Sequence, residues 1–264
     1  MEKQFIASSA PLIGLIWRDN GFVRDQKDLI FFSGKIRLFL RDILVKMGKD
    51  KLRKFAEVAT FENVIQLDAG KEYKGKWAEK QFGNTNPVVL ELACGKGEYT
   101  VNLAKLFPEK NFIGIDFKGN RIWRGAKTAL EEGIKNVAFL RIQIETILEH
   151  FAENEVDEIW ITFPDPQPQD SREKKRLTGP KFLERYRIIM KPEGKMNLKT
   201  DNDGFYAYTL EQIEALNLKK YKETTDLYHS DLVDEVLSIK TYYEKKYLAD
   251  DKNINYVQWS FEKL

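Results

Sequence analysis

One carboxylate stands in a setting that suits catalysis: Asp165, between Pro164 and Pro166 at the end of an apolar run. That run, Glu158–Phe163, predicts a buried strand. The two prolines stiffen the loop that follows, because each fixes its own φ angle and lacks an N–H. Ligands of open α/β sheets bind outside the carboxyl ends of the strands, so this loop would present Asp165 to a bound molecule. A proline turn with a solvated aspartate is the alternative interpretation.

The strongest basic run in the chain follows this loop closely, with the sequence Arg172-Glu173-Lys174-Lys175-Arg176. Charge runs are usually solvated faces, but beside a candidate active site this one favours contacts with the phosphates of a nucleic acid. The formal net charge of the whole chain is only +2. Any surface that binds nucleic acid must therefore be local.

A second group of residues predicts a nucleoside-binding site. The short apolar run Val88–Leu92 is typical of a buried strand, and Gly95 and Gly97 follow it in a turn of small residues. Glycine permits positive φ angles and a close approach of the backbone to a ligand. The next strand, Asn111–Asp116, ends in an acid about 20 residues after the turn, where nucleotide-binding βαβ units hold the ribose hydroxyls.

The charges around this turn favour a cationic ligand over a dinucleotide. Ala93 replaces the first glycine of the dinucleotide motif, and Glu98 opens the helix where a pyrophosphate would have to lie. With Glu91 and Asp116, Glu98 gives a pocket that suits the ammonium and sulfonium groups of S-adenosylmethionine. A tight turn that only lets a helix pack on a sheet is the structural alternative.

Few residues in the chain suit other chemistries. Cys94 is the only cysteine, and His150 and His229 are the only histidines. These residues show no metal-binding spacing, so we expect neither a metal site nor a Ser-His-Asp triad. A single cysteine rules out an internal disulfide and suits a reducing cytoplasm, the predicted location. No stretch is long and apolar enough to span a membrane.

The elements that must position these residues alternate between strands and helices, which predicts an α/β fold with a mostly parallel sheet. Further predicted helices are Lys118–Glu132, Glu145–Phe151, Pro180–Met190 and Asp203–Leu216. Further predicted strands are Val137–Ile142, Gly194–Thr200, Tyr221–Asp226 and Tyr256–Phe261. The last two strands, with no full helix between them, predict an antiparallel edge.

Taken together, these residues resemble the bacterial tRNA (guanine-N7)-methyltransferases, from about Met47 to the carboxyl terminus. The resemblance is carried by Glu91–Gly97, Gly114–Asp116, Phe163–Pro166 with the basic run, Thr200–Asp201 and Thr241–Glu244. It implies a Rossmann-like class I methyltransferase fold, with a mostly parallel seven-stranded sheet, an antiparallel edge strand and helices on both faces. The implied reaction transfers a methyl group from S-adenosylmethionine to N7 of guanine 46, in the variable loop of tRNA.

The resemblance also implies roles for individual residues. Asp165 matches the proposed catalytic carboxylate, which also lies against the cofactor. The other implied cofactor-binding residues are Glu91, Gly95, Gly97, Asp116 and Gln143. The implied substrate-binding residues are Gln169, Arg172, Lys174, Lys175, Arg176, Asp201, Thr241 and Glu244. Gln169 replaces a tRNA-contacting lysine of the family, so we expect Arg172 or Lys174 to make that contact.

The sequence pattern of residues 1–46 differs from that of the rest of the chain. Met47 begins a basic cluster that looks like a protein's own start. We therefore expect residues 1–46 to be an extension that lacks fixed structure or precedes the native start. We expect 47–86 to be a basic arm and polar lead-in, and 87–264 to be the methyltransferase domain.

Two other functions stay open at the level of sequence. A nicotinamide-dependent oxidoreductase shares the fold, although Ala93, Glu98 and the Phe-Pro-Asp-Pro loop disfavour it. A non-catalytic RNA-binding protein on the methyltransferase fold is the second, and Gln169 is the only feature that favours it. The expected partner is tRNA, and the sequence leaves a monomer and a homodimer both open.

Overall fold

The computed structural model describes residues 50–263, and the larger compact unit of the chain begins at Arg53. The predicted extension over 1–46 and the predicted start at Met47 lie outside the described residues. None of the helices in the described part of the chain is both long enough and apolar enough to cross a membrane.

One eight-stranded sheet organises the described residues. In spatial order its strands are β1 (Val64–Gln66), β4 (Val137–Arg141), β3 (Asn111–Ile115), β2 (Val88–Leu92), β5 (Val156–Thr162), β6 (Met190–Thr200), β8 (Asn255–Lys263) and β7 (Leu218–Thr224). Neighbouring strands are parallel, except that β8 is antiparallel to both β6 and β7. The predicted α/β fold with a mostly parallel sheet is confirmed.

The sheet differs from the prediction in two details. It has eight strands rather than seven because β1, from within the predicted lead-in, pairs with β4 and buries Ile65. The antiparallel strand β8 lies between β6 and β7, so β7 is the edge strand. Hydrophobic patterning identifies a strand but carries no information about which strands lie beside it.

The α-helices follow the strands in the order α1 (Glu98–Leu106), α2 (Gly119–Glu131), α3 (Pro180–Ile189), α4 (Asp203–Ala215) and α5 (Tyr242–Ala249). Residues 53–58 are also helical. Shorter helical turns are Leu67–Tyr73, Trp77–Gln81, Ile144–Glu149, Asp170–Lys175 and Leu227–His229. The expectation that no full helix separates the last two strands is wrong, because α5 lies between β7 and β8.

Helices cover both faces of the sheet, as predicted. Val89 of β2 packs in one buried apolar cluster with residues of α1 and α2. Its neighbour Leu90 packs in the other cluster, with residues of α3 and α4. Every residue of β2 and of β3 is buried. Strands covered on both faces read as continuous apolar runs, which is why the sequence reveals them clearly.

Candidate active site

An open cleft lies at the carboxyl ends of β2 and β5. It is lined by Ala93, Cys94, Gly95, Lys96, Glu98, Arg121, Thr162, Phe163, Thr241 and Tyr243. The turn from β2 into α1 forms one side, the end of β5 forms the floor beside it, and the start of α5 faces them. Open α/β sheets bind their ligands at this position.

The two glycines of the turn have different tasks. Both have left-handed backbone conformations, with φ angles of 56° at Gly95 and 68° at Gly97. A Cβ atom on Gly97 would overlap the ring of Phe139, so this glycine lets the turn pack against β4. A Cβ atom on Gly95 would meet only the carbonyl oxygen of Ala93, at 3.9 Å. Gly95 therefore faces open space in the cleft, where a ligand can approach the backbone.

Asp116, at the end of β3, holds this turn in place. Its Oδ2 accepts a hydrogen bond from the Gly95 N–H at 3.1 Å, and its Oδ1 accepts one from the Lys118 N–H at 2.7 Å. Gln143 is exposed just after β4, the strand that pairs with β3. The structure thus places these two predicted cofactor-binding residues at neighbouring strand ends.

Glu91 lies beneath the turn, with only 2% of its surface exposed. Its Oε2 accepts hydrogen bonds from the Thr100 backbone N–H, at 2.8 Å, and from the Thr100 hydroxyl. Its Oε1 accepts one from the Thr162 hydroxyl at 2.5 Å. Burial raises the pKa of Glu91 to about 7, although both threonines act to lower it. The side chain predicted to contact the cofactor thus ties β2 to α1 and β5.

Replacing Glu91 with Gln is expected to stabilise the protein more at about pH 8 than at about pH 5. The folded-state pKa of Glu91, about 7, lies above the ordinary value of 4.5. Between these values the folded state binds more protons, so stability falls as pH rises and stays low above the folded-state pKa. Gln keeps an acceptor for Thr100, offers an N–H to Thr162 and does not ionise. Melting temperatures of both proteins at the two pH values test this, and a pH-independent difference would contradict it.

The loop after β5 is strained on both sides of Asp165. Phe163 and Gln167 have positive φ angles of 50° and 46°, and so does Ala93, at 56°, across the cleft. Such conformations cost non-glycine residues about 1–3 kcal/mol each and cluster at active sites and ligand clamps. Asp165 is exposed, and its Oδ1 accepts a hydrogen bond from the Gln167 N–H at 3.2 Å. The loop therefore presents a solvated carboxylate on a stiff support beside the cleft.

Arg176 stabilises the loop that carries Asp165. Its Nε donates a hydrogen bond to the Gln167 carbonyl at 3.2 Å, and its guanidinium carbon lies 4.5 Å from the centroid of the Tyr208 ring. Only 14% of its side chain is exposed. Sequence reasoning assigned Arg176 to phosphate contacts, but its contacts in the structure are internal to the protein.

The other basic residues of the run are open to solvent. Arg172, Lys174 and Lys175 are exposed in the short helix Asp170–Lys175, and Gln169 is exposed just before it. We call Arg172, Lys174 and Lys175 the basic patch. It lies next to the loop of Asp165, and the sequence predicts that it contacts phosphates.

A buried ion pair anchors the start of α5. Lys199 Nζ lies 2.7 Å from Glu244 Oε1, and both side chains are fully buried. Lys199 also donates hydrogen bonds to the carbonyls of Leu237 and Ile239, at 3.0 and 3.1 Å. The Tyr228 hydroxyl donates to Glu244 at 2.6 Å. Burial lowers the pKa of Lys199, and the carboxylate of Glu244 opposes that shift.

The three residues expected to contact the substrate around α5 have internal partners as well. Glu244 is buried in the ion pair, so its carboxylate reaches a substrate only if the start of α5 moves. The Thr241 hydroxyl accepts a hydrogen bond from the Glu244 N–H and caps the helix, although Thr241 also lines the cleft. Asp201 forms an ion pair with Lys252 at 2.8 Å.

The structure adds cleft residues that sequence reasoning did not single out. Lys96 lies between the two glycines of the turn, and Tyr243 lies within the Thr241–Glu244 motif, so both had a signal in the sequence. Arg121, in the first turn of α2, had none. Burial and the nearby carboxylates of Glu91 and Asp116 raise the pKa of the Cys94 thiol, which therefore stays protonated. Within residues 50–263, no three His, Cys, Asp or Glu side chains are placed to hold a metal ion.

This chain is similar to known methyltransferases in sequence and in fold. The family model described as "Putative methyltransferase" matches residues 85–257. The structure of the 16S rRNA methyltransferase KamB superposes with a TM-score of 0.52 at 14% identity, covering 69% of this chain and 91% of that one, which supports the fold.

Two curated relatives are far more similar. The tRNA (guanine-N(7)-)-methyltransferase of Bacteroides thetaiotaomicron is 51% identical over 219 residues, covering 81% of this chain and 86% of that protein. The enzyme of the same name from Christiangramia forsetii is 52% identical over 222 residues, covering 81% of this chain and 99% of that protein. The chain therefore belongs to the tRNA (guanine-N7)-methyltransferase family.

Proposed function

We propose that this chain transfers the methyl group of S-adenosylmethionine to N7 of guanine 46, in the variable loop of tRNA. The observation that carries the proposal is the cleft where the glycine turn meets the strained loop after β5, with the basic patch beside that loop. The names of the relatives support the reaction and the substrate. The variable-loop position comes from the family resemblance, and we infer a cytoplasmic location from the tRNA substrate and the single cysteine.

Residues that line the cleft, and residues at the neighbouring strand ends, fit this cofactor. Gly95 leaves open space beside the backbone, where a side chain would fill the site. A carboxylate has about four acceptor positions, and backbone N–H groups occupy only two on Asp116, so two remain for ribose hydroxyls. Gln143 would contact the adenine. When bound, the cofactor supplies an electrophilic methyl group on a sulfonium.

The chain itself has to orient the base and stabilise charge. Guanine N7 is an unprotonated acceptor on the major-groove edge of the base, so no general base is needed to expose its lone pair. The main task is therefore alignment of the reacting groups. The purine becomes positively charged as N7 is methylated, and the carboxylate of Asp165 would stabilise that charge. Asp165 would also accept hydrogen bonds from the N–H groups of the guanine.

The reaction is tested by incubating the protein with radiolabelled S-adenosylmethionine and an unmodified tRNA transcript. After digestion to nucleosides, we expect the label in N7-methylguanosine. Label in another nucleoside, or none, would contradict the proposal. Calorimetry with S-adenosylhomocysteine and with NADH separates the methyltransferase from the nicotinamide-dependent alternative. Binding without any methyl transfer would favour the non-catalytic RNA-binding protein.

Neutralising the basic patch is expected to weaken tRNA binding and to reduce its dependence on salt. Replacing Arg172, Lys174 and Lys175 with Ala removes three exposed cations beside the site. The slope of log affinity against log salt concentration should become shallower by about 0.7–0.9 for each phosphate that the protein no longer neutralises. Filter-binding titrations at several salt concentrations measure the slope.

A matched control removes the same charge at the other end of the sheet. Lys76, Lys135 and Arg187 are exposed, and they lie on segments that lead into the amino ends of strands. Replacing these three with Ala should leave the slope close to that of the wild type. An unchanged slope in the basic-patch variant, or an equal reduction in both variants, would count against the proposed phosphate contacts.

A further inference from the structure

Glu98 joins two parts of the cleft that are far apart in sequence. It is the first residue of α1 and follows the glycine turn directly. Its Oε2 accepts a hydrogen bond of 2.7 Å from the backbone N–H of Tyr242, the first residue of α5. A carboxylate at a helix amino terminus satisfies a free N–H and faces the positive end of the helix dipole. The turn and the opposite wall of the cleft are thereby held together.

Lys96 makes a second contact across the same gap. Its Nζ lies 3.7 Å from the centroid of the Tyr242 ring, a cation–π geometry. Gly97 separates Lys96 from Glu98, so both contacts to Tyr242 come from one short stretch of the turn. We call these two contacts the latch.

The latch holds a pair of exposed aromatic rings at the rim of the cleft. Tyr242 is 54% exposed and Tyr243 is 43% exposed. Their rings pack edge to face with centroids 5.5 Å apart, and Tyr243 also lines the cleft. Proteins that bind unpaired RNA bases commonly stack them on exposed aromatic side chains. We call Tyr242 and Tyr243 the tyrosine wall.

Two sets of contacts therefore fix the first turn of α5. On the core side, the buried ion pair of Glu244 and Lys199 holds it. On the cleft side, Glu98 and Lys96 of the glycine turn contact Tyr242. These two residues flank Gly97 in the turn that the cofactor would contact, so a cofactor bound there would act on the tyrosine wall through the same two side chains.

We propose that Glu98 and Lys96 are positioning residues. Through the tyrosine wall they couple the glycine turn, which would bind the cofactor, to the side of the cleft that would bind the target guanine. The proposal rests on the methyl transfer to tRNA proposed above. A ligand that rigidifies the turn reduces the ordering cost for the second ligand, so the cofactor and tRNA bind cooperatively. Coupling between two sites is reciprocal, and its usual size is about 5- to 150-fold in affinity.

The experiment measures this coupling in the full chain. Calorimetry gives the affinity of S-adenosylhomocysteine, which cannot transfer a methyl group, with and without a saturating unmodified tRNA. In the wild type we expect at least about fivefold tighter binding with tRNA. In Glu98→Ala the ratio should fall close to one. In Glu98→Gln most of it should remain, because the amide oxygen still accepts the Tyr242 N–H.

Two further variants separate coupling from general stability. Lys96→Met keeps the aliphatic stem but removes the ammonium. The ratio of the two affinities should therefore fall in this variant, although Glu98 is intact. Glu109→Ala makes the same change as Glu98→Ala at an exposed acid just before the amino end of β3, and should keep the wild-type ratio. Thermal melting establishes that each variant is folded.

A wild-type ratio in Glu98→Ala or in Lys96→Met would overturn the proposal, and so would an equal reduction in Glu109→Ala. A wild type that forms N7-methylguanosine but shows no coupling would also overturn it, while leaving the proposed function intact. A wild type that forms no N7-methylguanosine would refute the function itself.

Discussion

Asp165→Ala is expected to lower the rate of tRNA methylation by about 10²- to 10³-fold, the usual cost of removing one group that stabilises developing charge. The variant should fold normally, because Asp165 is exposed and, among the described residues, it accepts one hydrogen bond, from the N–H of Gln167 two residues away. Single-turnover rates with saturating cofactor and tRNA isolate the chemical step from binding. Near-normal turnover would refute the role assigned to Asp165.

Two companion variants sharpen this result. Asp165→Asn keeps the size of the side chain and an acceptor oxygen but loses the charge, so it separates charge stabilisation from orientation of the base. We expect a rate close to that of Asp165→Ala if charge dominates and a clearly higher rate if orientation dominates. Asp170→Ala, at an exposed acid in the adjacent short helix, is the matched control and should keep most of the activity.

Lys199→Met is expected to lower the free energy of unfolding by about 3–5 kcal/mol, the usual cost of removing one partner from a buried ion pair. The substitution leaves the Glu244 carboxylate fully buried without its cation and removes the donor to the carbonyls of Leu237 and Ile239. Urea unfolding monitored by circular dichroism measures the change.

The double variant tests the cause of that destabilisation. Adding Glu244→Gln to Lys199→Met removes the unpaired charge, and the amide oxygen can still accept the Tyr228 hydroxyl. The double variant should therefore be more stable than Lys199→Met alone. A single-variant destabilisation below about 1 kcal/mol would show that the ion pair is not a main anchor of α5, as this is the size of an exposed pair.

Much of the fold is predictable from this sequence because local pattern and tertiary position agree there. β2 and β3 are buried on both faces and read as unbroken apolar runs, and the glycine turn and Asp116 mark the carboxyl ends of those strands. The order of the strands in the sheet cannot be predicted in this way. The place of β8 between β6 and β7 depends on pairing across the sheet, which hydrophobic periodicity along one segment does not encode.

The candidate site is predictable in its position but less so in the state of each carboxylate. A motif fixes which residue stands at a strand end, but burial depends on what packs around it. Glu91 and Glu244 are both buried with internal partners, whereas Asp165 is exposed. The sequence alone did not separate these cases, because the partners Thr100 and Lys199 lie on other elements.

The Thr241–Glu244 segment shows how one pattern supports two interpretations. A threonine followed three residues later by a glutamate is the signature of a capping box, and the structure contains one at the start of α5. The family resemblance predicts that the same residues bind the substrate. Both uses are compatible because the capped helix start also lines the cleft. The contact of Glu98 with Tyr242 spans 144 residues and has no signature in the sequence.

Locating the methyl group in the product tRNA tests both the proposed reaction at guanine 46 and the role of Asp165. An unmodified tRNA transcript with guanine 46 in its variable loop is incubated with the wild type or with Asp165→Ala, cut with a base-specific nuclease and analysed by fragment mass spectrometry. We expect one added methyl group in the wild-type reaction, at N7 of guanine 46, and almost none with the variant. A methyl group on another base or another atom, or equal methylation by both proteins, would contradict it.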